Sequence, residues 1–385
     1  MGIFTEYIDQ NMDWPTLIKK RKEQLAEISK LRGGRAIITF AAALNKQAPT
    51  MISYDDRIHF FDQINNLSGD KIDIILETPG GHAEVVEDLV HYVRSRFSEV
   101  AIIIPGYAKS AGTIMAMAGD EILMDSTSAL GPIDAQITQN GKNFSAHAFL
   151  EGLEKIKKEV DDKQALNRAY VPMLQLLSPG EIQGCENALA FSKKLVTEWL
   201  STYKFKFWDV HSSTGSPVTE DDKKERAKMI AETLCDHSLW LTHGRSITID
   251  DLTGMKLKIT DFSKKPDLAE AIRRYYTLLM MSFDTTSIYK IYETPTSQLY
   301  RFAIPQNVPV IPQIQNADHV VIELECPNCK NKSKVQANFK KDVKLQEGAV
   351  KFPKTNLYIC PICKNQINLS GLRGRLESQI KKKVM

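Results

Sequence analysis

Three things are scarce in this chain of 385 residues. It has no long apolar run: stretches such as Val100–Pro105 fall far short of the roughly 20 residues needed to span a bilayer. Cysteine is rare, six in all, too few for a disulfide-built scaffold. Net charge is almost absent, +3 from 50 Lys+Arg against 47 Asp+Glu, which alone gives no reason to expect nucleic acid. An export signal is also missing. Met1-Gly2-Ile3-Phe4-Thr5-Glu6 has no basic region followed by an apolar stretch, and Glu6 stands where a myristoylation signal needs Ser or Thr. The expectation is a cytoplasmic protein without a membrane span.

What is present is ordinary globular composition, 43% hydrophobic and 25% charged, at a length that suits two to three domains. The small net charge hides an asymmetry. Residues 319–385 hold 14 Lys+Arg and 5 Asp+Glu, a net of +9, which leaves −6 to residues 1–318.

Trp14–Leu31 has the spacing of an exposed amphipathic helix, ended by Gly33-Gly34, and Ala36-Ile37-Ile38-Thr39-Phe40 is long enough for a buried strand. Asp55–Leu67 predicts a short helix. The clearest pattern follows. Ile72–Leu76, Val100–Ile104 and Glu121–Met124 are apolar strands, separated by a helix over Ala83–Phe97 and a small-residue helix starting near Ser110. This alternation argues for a mostly parallel sheet with right-handed crossover helices, an α/β fold. Residues 145–206 read as mostly helical with a break at Ser178-Pro179-Gly180, and a further helix covers Asp221–Asp236. Residues 286–318, with Pro295, Pro305, Pro309 and Pro312, read as a stiff linker or an extended arm.

Two features fall at the C-terminal ends of adjacent predicted strands, where α/β proteins place their active sites. In Thr78-Pro79-Gly80-Gly81 the glycines let the backbone bend so that N–H groups point into a cleft and hold a developing oxyanion. In Ala108-Lys109-Ser110-Ala111-Gly112 a serine sits at a strand-to-helix turn among small residues, a variant of the nucleophile elbow. Alone, the first is an ordinary turn and the second an ordinary helix cap. Separated by one crossover helix, they form an acyl-transfer constellation.

Four segments together resemble the serine-dehydrogenase-proteinase family: Thr78-Pro79-Gly80-Gly81, Tyr107-Ala108-Lys109-Ser110-Ala111-Gly112-Thr113, Asp120-Glu121-Ile122 and Ala129-Leu130-Gly131-Pro132-Ile133-Asp134-Ala135-Gln136. That family is related to the Clp peptidases and to signal peptide peptidase A, with the Clp/crotonase fold. Trp240-Leu241-Thr242-His243-Gly244-Arg245, followed by Ile249-Asp250-Asp251-Leu252, resembles the segment closing the core in these peptidases. The resemblance runs from Gly33 to Phe283. It implies Ser110 as nucleophile, the Gly80-Gly81 loop with the N–H groups of Gly81 and Ala111 as the oxyanion hole, a peptide or protein substrate, and a homo-oligomer.

The general base stays open. Signal-peptide-peptidase relatives use a lysine some forty residues downstream of the serine, and here that place holds Glu151. Lys155 lies one turn after Glu151 and His147 one turn before it, on the same predicted face. Clp peptidases use a histidine and an aspartate, and Asp134 falls near the corresponding turn. His82, directly after the glycines, reads as an exposed helix-start residue, and His243 and Arg245 read as packing groups.

Four of the six cysteines form two CxxC pairs, Cys326/Cys329 and Cys360/Cys363. Two such knuckles supply four thiolates to one tetrahedral ion, the pattern of a structural zinc ribbon that leaves no open position for catalysis. Lys330, Lys332, Lys334, Lys340, Lys341, Lys344 and Lys381–Lys383 surround it and suit an acidic partner such as nucleic acid; only Phe339, Phe352 and Tyr358 offer stacking, which leaves a protein partner or a substrate-docking role equally open.

The expected organisation is an N-terminal helix (1–32), a Clp/crotonase-like serine peptidase core (33–285) with a helical insertion at about 145–235, a linker (286–318), a four-cysteine zinc ribbon (319–370) and a basic tail (371–385). Two other readings remain. One is a non-catalytic oligomeric scaffold that presents the basic ribbon to a partner, suggested by Glu151. The other is a crotonase-type acyl-CoA enzyme, against which Ser110 at the elbow weighs.

Overall fold

The computed structural model describes residues 2–10, 12–139, 142–211, 214–303, 318–380 and 383–385. The chain divides into two units, residues 1–303 and residues 304–385.

In the first unit the strands are β1 (Ala36–Ala42), β2 (Lys71–Glu77), β3 (Glu99–Ile103), β4 (Tyr107–Ala108), β5 (Glu121–Met124), β6 (Ala129–Leu130), β7 (Gln136–Gln139), β8 (Lys142–Ser145), β9 (Thr260–Asp261), β10 (Ile288–Glu293) and β11 (Gln298–Phe302). Seven of them make one sheet in the order β11-β10-β1-β2-β3-β5-β9. From β1 to β9 neighbours run parallel, and β10 and β11 close one edge antiparallel. A mostly parallel sheet with crossover helices is what the sequence pattern predicts.

The helices are α1 (Ile3–Asp9), α2 (Trp14–Leu31), α3 (Asp56–Asn65), α4 (Ala83–Arg96), α5 (Ala111–Met117), α6 (Ala146–Lys163), α7 (Val171–Leu174), α8 (Pro179–Trp199), α9 (Glu220–Leu234), α10 (His237–Trp240), α11 (Ile249–Gly254) and α12 (Pro266–Thr285). Both faces of the sheet are covered, so successive strand residues enter different cores. Ile38, Phe40, Ile74, Leu76 and Ile102 pack with Val86 and Leu89 of α4 and Met115 of α5. Ile37, Ala41, Ile75, Ile103 and Leu123 pack with Leu25 and Ile28 of α2 and Ile272 and Leu279 of α12. This two-sided burial explains why the strands read as continuous apolar runs.

Two elements differ from expectation. Residues 288–302, read as part of a linker, are two strands of the central sheet. Their charges concealed them: Lys290 and Glu293 are fully buried because each finds a distant partner. Lys290 Nζ lies 2.7 Å from Asp56 Oδ1, and Glu293 takes two bonds of 2.9 Å from Arg21. Pro305, Pro309 and Pro312 lie outside the described residues. The second element is α2, which has the predicted bounds but not the predicted exposure. Arg21 is 0% exposed and also donates to Tyr300 at 2.6 Å and to Ser282. The expected break at Ser178-Pro179-Gly180 is present: α7 ends at Leu174, Ser178 and Glu181 form a capping box, and Pro179 occupies the first turn of α8.

In the second unit β12 (His319–Glu325) and β13 (Lys332–Asn338) pair antiparallel, and β14 (Ala349–Lys351) joins β13 in parallel. A hairpin of β15 (Leu357–Ile359) and β16 (Gln366–Asn368) follows, then α13 (Ser370–Ile380). Its core is separate, built on Val320, Ile322, Val335, Phe352 and Leu376.

The buried Arg21–Glu293 pair yields a stability prediction. Arg21→Met strands a buried carboxylate and should cost about 3–5 kcal/mol, measured by denaturant unfolding of the full chain. Adding Glu293→Leu should recover part of that loss, because the double variant leaves no unpaired charge.

Candidate active site and metal centre

The turn at Ser110 is shaped by what surrounds it. β4 is tied to the end of β2 by Thr78 N–H to the Tyr107 carbonyl, 2.9 Å, and by Lys109 N–H to the Thr78 carbonyl, 3.0 Å. The chain must then turn at once into α5, whose seven residues are all buried. Ser110 makes this turn with φ 51° and ψ −116°, a left-handed conformation that costs a non-glycine residue on the order of 1–3 kcal/mol. Thr113 holds the far side: its hydroxyl reaches the Ala108 carbonyl at 2.9 Å and the Gly131 carbonyl at 2.8 Å. Lys109 is directed away from the serine. Its Nζ donates to the carbonyls of Leu130 and Arg245 at 3.1 and 3.0 Å and to Ser246 at 3.1 Å.

The glycine loop comes against the same turn. Ile52 forms a bridge beside it, with Ile52 N–H to the Gly80 carbonyl at 2.7 Å and His82 N–H to the Ile52 carbonyl at 3.0 Å. Gly81 has φ +148°, and a Cβ there would lie 2.3 Å from the Ile52 carbonyl oxygen, so only glycine fits. The Gly80 N–H is occupied by Thr78 Oγ1 at 3.2 Å. Among the described residues, the N–H groups of Gly81 and Ala111 have no partner, and neither has the Ser110 hydroxyl. Ala111 is also the first residue of α5, where a helix leaves its amides free.

The histidines and Asp134 form a second cluster. Asp134 is 2% exposed and accepts from Ser145 at 2.7 Å and from Gln136 at 2.8 Å. His237 Nδ1 lies 3.1 Å from its Oδ2, and His243 Nδ1 lies 3.9 Å from the same oxygen. Burial pushes the His243 imidazole below the ordinary histidine value of 6.5, with His237 and Lys109 acting in the same direction and Asp134 opposing them. His243 belongs to the segment whose end Lys109 clasps at Arg245 and Ser246, next in sequence to Ser110. Sequence analysis reads His243 as a packing group, and the structure puts its Nδ1 3.9 Å from Asp134, a residue distant along the chain. The run Trp240–Arg245 is the sequence signal at this position, already part of the family resemblance.

The other base candidates are placed differently. Lys155 is 74% exposed and pairs with Glu151 at 2.8 Å, without the apolar surroundings a lysine base requires. The His147 ring lies 6.2 Å from that of His237, and its buried Nδ1, like that of His243, has no hydrogen-bond partner. His82 precedes α4 and its ring stands 6.0 Å from Tyr54.

In the second unit the sulfurs of Cys326, Cys329, Cys360 and Cys363 all lie within 4.8 Å of one another, a geometry compatible with one metal ion. The two knuckles share a backbone plan. Cys326 N–H donates to Asn331 at 2.8 Å and Lys330 N–H to Cys326 at 2.9 Å; Cys360 N–H donates to Asn365 at 2.9 Å and Lys364 N–H to Cys360 at 3.0 Å. Lys330 and Lys364 are both left-handed, with φ 59° and 62°. Two expectations about this surface change. Phe339, Phe352 and Tyr358 are buried in the unit's own core and offer no stacking face. Lys332, Lys340 and Lys330 already lie 3.0 Å from Glu323, 3.5 Å from Asp318 and 3.9 Å from Glu325. Lys381 and Lys382 lie outside the described residues. No helix among the described residues is long and apolar enough to cross a membrane.

The family model described as ClpP-like SDH-type serine proteinase matches residues 3–171. The uncharacterized protein MJ1495 of Methanocaldococcus jannaschii is 31% identical over 216 residues, 52% of this chain and 72% of that protein. The uncharacterized protein MJ0137 of the same organism is 29% identical over 185 residues, 45% of this chain and 58% of that protein. Among solved structures, a mutant of the 1510-N membrane-bound stomatin-specific protease aligns at 17% identity with a TM-score of 0.32, over 57% of this chain and 79% of that one. This chain belongs to the ClpP-like SDH-type serine proteinase family.

Proposed function

We propose that the chain is a serine endopeptidase acting through an acyl-enzyme on Ser110, with His243 as general base and Asp134 as the group that orients it. The observation that carries this reading is the left-handed Ser110, set at the start of α5 beside the unpartnered amides of Gly81 and Ala111. Ser110 Oγ bonds to the carbonyl carbon of the substrate while its proton passes to His243 Nε2, since Nδ1 is the nitrogen that faces Asp134. The charge that develops on the carbonyl oxygen is received by the N–H groups of Gly81 and Ala111. Collapse breaks the C–N bond, and the imidazolium returns its proton to the departing amine. Water then enters by the same base and releases the acid from the serine ester. The base is better chosen as His243 than as Lys155 or His147. A half-buried imidazole held below its ordinary value is neutral without a special apolar pocket, and the Asp134 carboxylate lies 3.9 Å from its Nδ1, a gap that must close for Asp134 to orient the ring.

The four cysteines would hold one Zn2+ as thiolates, and with all four positions filled the ion would be structural. Substrates are peptides or proteins. Self-association, cytoplasmic residence and an acidic partner for the unpaired lysines of the second unit belong to the same proposal.

Three outcomes test it. The wild-type chain should label with a fluorophosphonate probe and Ser110→Ala should not; equal labelling of the two folded proteins sinks the reading. Gly81→Ala, which forces the loop off Ile52, should slow labelling about 10²–10³-fold, the usual effect of losing one oxyanion donor. The acidic limb of the labelling rate should lie below the ordinary histidine value, because a lowered base stays unprotonated to lower pH. Asp134→Asn removes the one influence that raises His243, so it should move that limb further down and reduce the plateau. For the metal, elemental analysis should find one zinc per chain, and Cys360→Ser should release it and unfold the second unit, while Ser110 still labels.

A further inference from the structure

Glu77 is a buried carboxyl that the acyl-transfer steps do not use. It is the last residue of β2, immediately before Thr78-Pro79-Gly80-Gly81, and only 1% exposed. Its Oε2 accepts the Tyr107 N–H at 2.8 Å, and its Oε1 lies 3.2 Å from the hydroxyl of Tyr276 on α12. The fit is close: a Cβ on Gly106 would lie 2.6 Å from Oε2. One carboxyl therefore touches both halves of the site. The oxyanion loop follows it along the chain, and the nucleophile turn hangs from its bond to Tyr107, three residues before Ser110. Among the described residues, the groups that contact its oxygens are the Tyr107 N–H from β4 and the Tyr276 hydroxyl from α12, and no cation is among them.

We propose that protonated Glu77 is the positioning residue that holds the Ser110 turn against the Gly80-Gly81 loop, and that its ionisation loosens this site at alkaline pH. The functional half of this inference rests on the peptidase reading of Ser110. In the protonated form one oxygen still accepts the Tyr107 N–H while the acid O–H donates to the Tyr276 oxygen, so both contacts persist without a net charge. Loss of the proton leaves a buried anion with two neutral donors and no counter-charge. That anion also opposes the negative charge forming on the substrate oxygen.

Burial pushes the carboxyl up from 4.5 to about 8, against the smaller, opposing pull of the bonds from Tyr107 and Tyr276. The folded chain thus keeps a proton that the unfolded chain has released between these two values, and stability falls as pH rises through that window. Glu77→Gln, neutral at every pH and able to make the same two contacts, lacks this dependence.

The test compares wild type, Glu77→Gln, Glu77→Ala and Ser110→Ala between about pH 6 and 10, following two signals. One is fluorophosphonate labelling. The other is hydrogen exchange of the peptide covering residues 105–112, corrected for intrinsic exchange, which needs no activity. In wild type, labelling should fall above about pH 8 with a limiting slope of up to tenfold per unit, and protection of 105–112 should fall over the same range. Glu77→Gln should keep both level, and Glu77→Ala, which removes the acceptor for Tyr107, should lose protection at every pH. The proposal is overturned if protection in wild type stays constant to pH 10, if Glu77→Gln shares the wild-type alkaline fall, or if Glu77→Ala protects the turn as wild type does. Equal labelling of wild type and Ser110→Ala would instead remove the peptidase reading, and exchange would still decide the role of Glu77.

Discussion

The short ladder between the end of β2 and β4 is the constraint on which the rest of the first unit's chemistry depends. Two backbone bonds, from Thr78 to Tyr107 and from Lys109 to Thr78, bring the glycine loop and the Ser110 turn to one place. They also leave no length of chain in which to relax the turn, so Ser110 carries the strain of a left-handed backbone. The surroundings offset that strain from several directions. Ile52 braces the loop from one side, α5 is sunk into the core on another, and Thr113 fastens the turn to Gly131. Pre-organised amides are worth more in catalysis than amides that must be gathered during a reaction, and in the proposed reaction this bracing would supply that rigidity.

Support for the loop reaches far into the sheet. Ile52 is flanked by Met51 and Ser53, and both are held by one buried pair: Lys290 Nζ donates to the Met51 carbonyl at 2.7 Å, and Asp56 accepts the Ser53 N–H at 2.7 Å. The antiparallel edge that carries Lys290 is therefore more than a closing strand. It fixes the segment on which the Gly80-Gly81 loop leans, which links β10 to the position of the Gly81 amide.

Much of this was legible in the sequence, for physical reasons that differ by element. β1, β2, β3 and β5 are buried on both faces, so their apolar runs stand out at any register. The CxxC pairs are legible because metal geometry demands that spacing. The Ser110 motif is legible because small residues are needed wherever backbone meets backbone. What stayed hidden depends on partners remote in sequence. Ile288–Glu293 lacks the alternation of a strand and carries a charge at every third position, Lys290 and Glu293, and nothing nearby reveals that Asp56 and Arg21 neutralise them. Arg21 looks like one more solvated charge among the lysines of α2. Asp134, His237 and His243 converge only because Lys109 and the bridge between Leu130 and Ile247 draw the 241–247 segment onto the turn after β6.

The Arg21–Glu293 contact joins residues 272 positions apart, and this bears on how the molecule is made. On a ribosome, α2 emerges early, with an arginine whose carboxylate has not yet been synthesised. At about 5–20 residues per second the wait is on the order of 15–50 seconds, long compared with the time a helix needs to form. During that interval the face of α2 bearing Leu25 and Ile28 cannot complete its burial, since α12 is also missing. The N-terminal helix must stay solvated and undocked until the last strands of the sheet leave the tunnel. Its many Lys and Glu residues, which made it look like a surface helix, suit that delay: they keep the waiting segment soluble until the core can close over it.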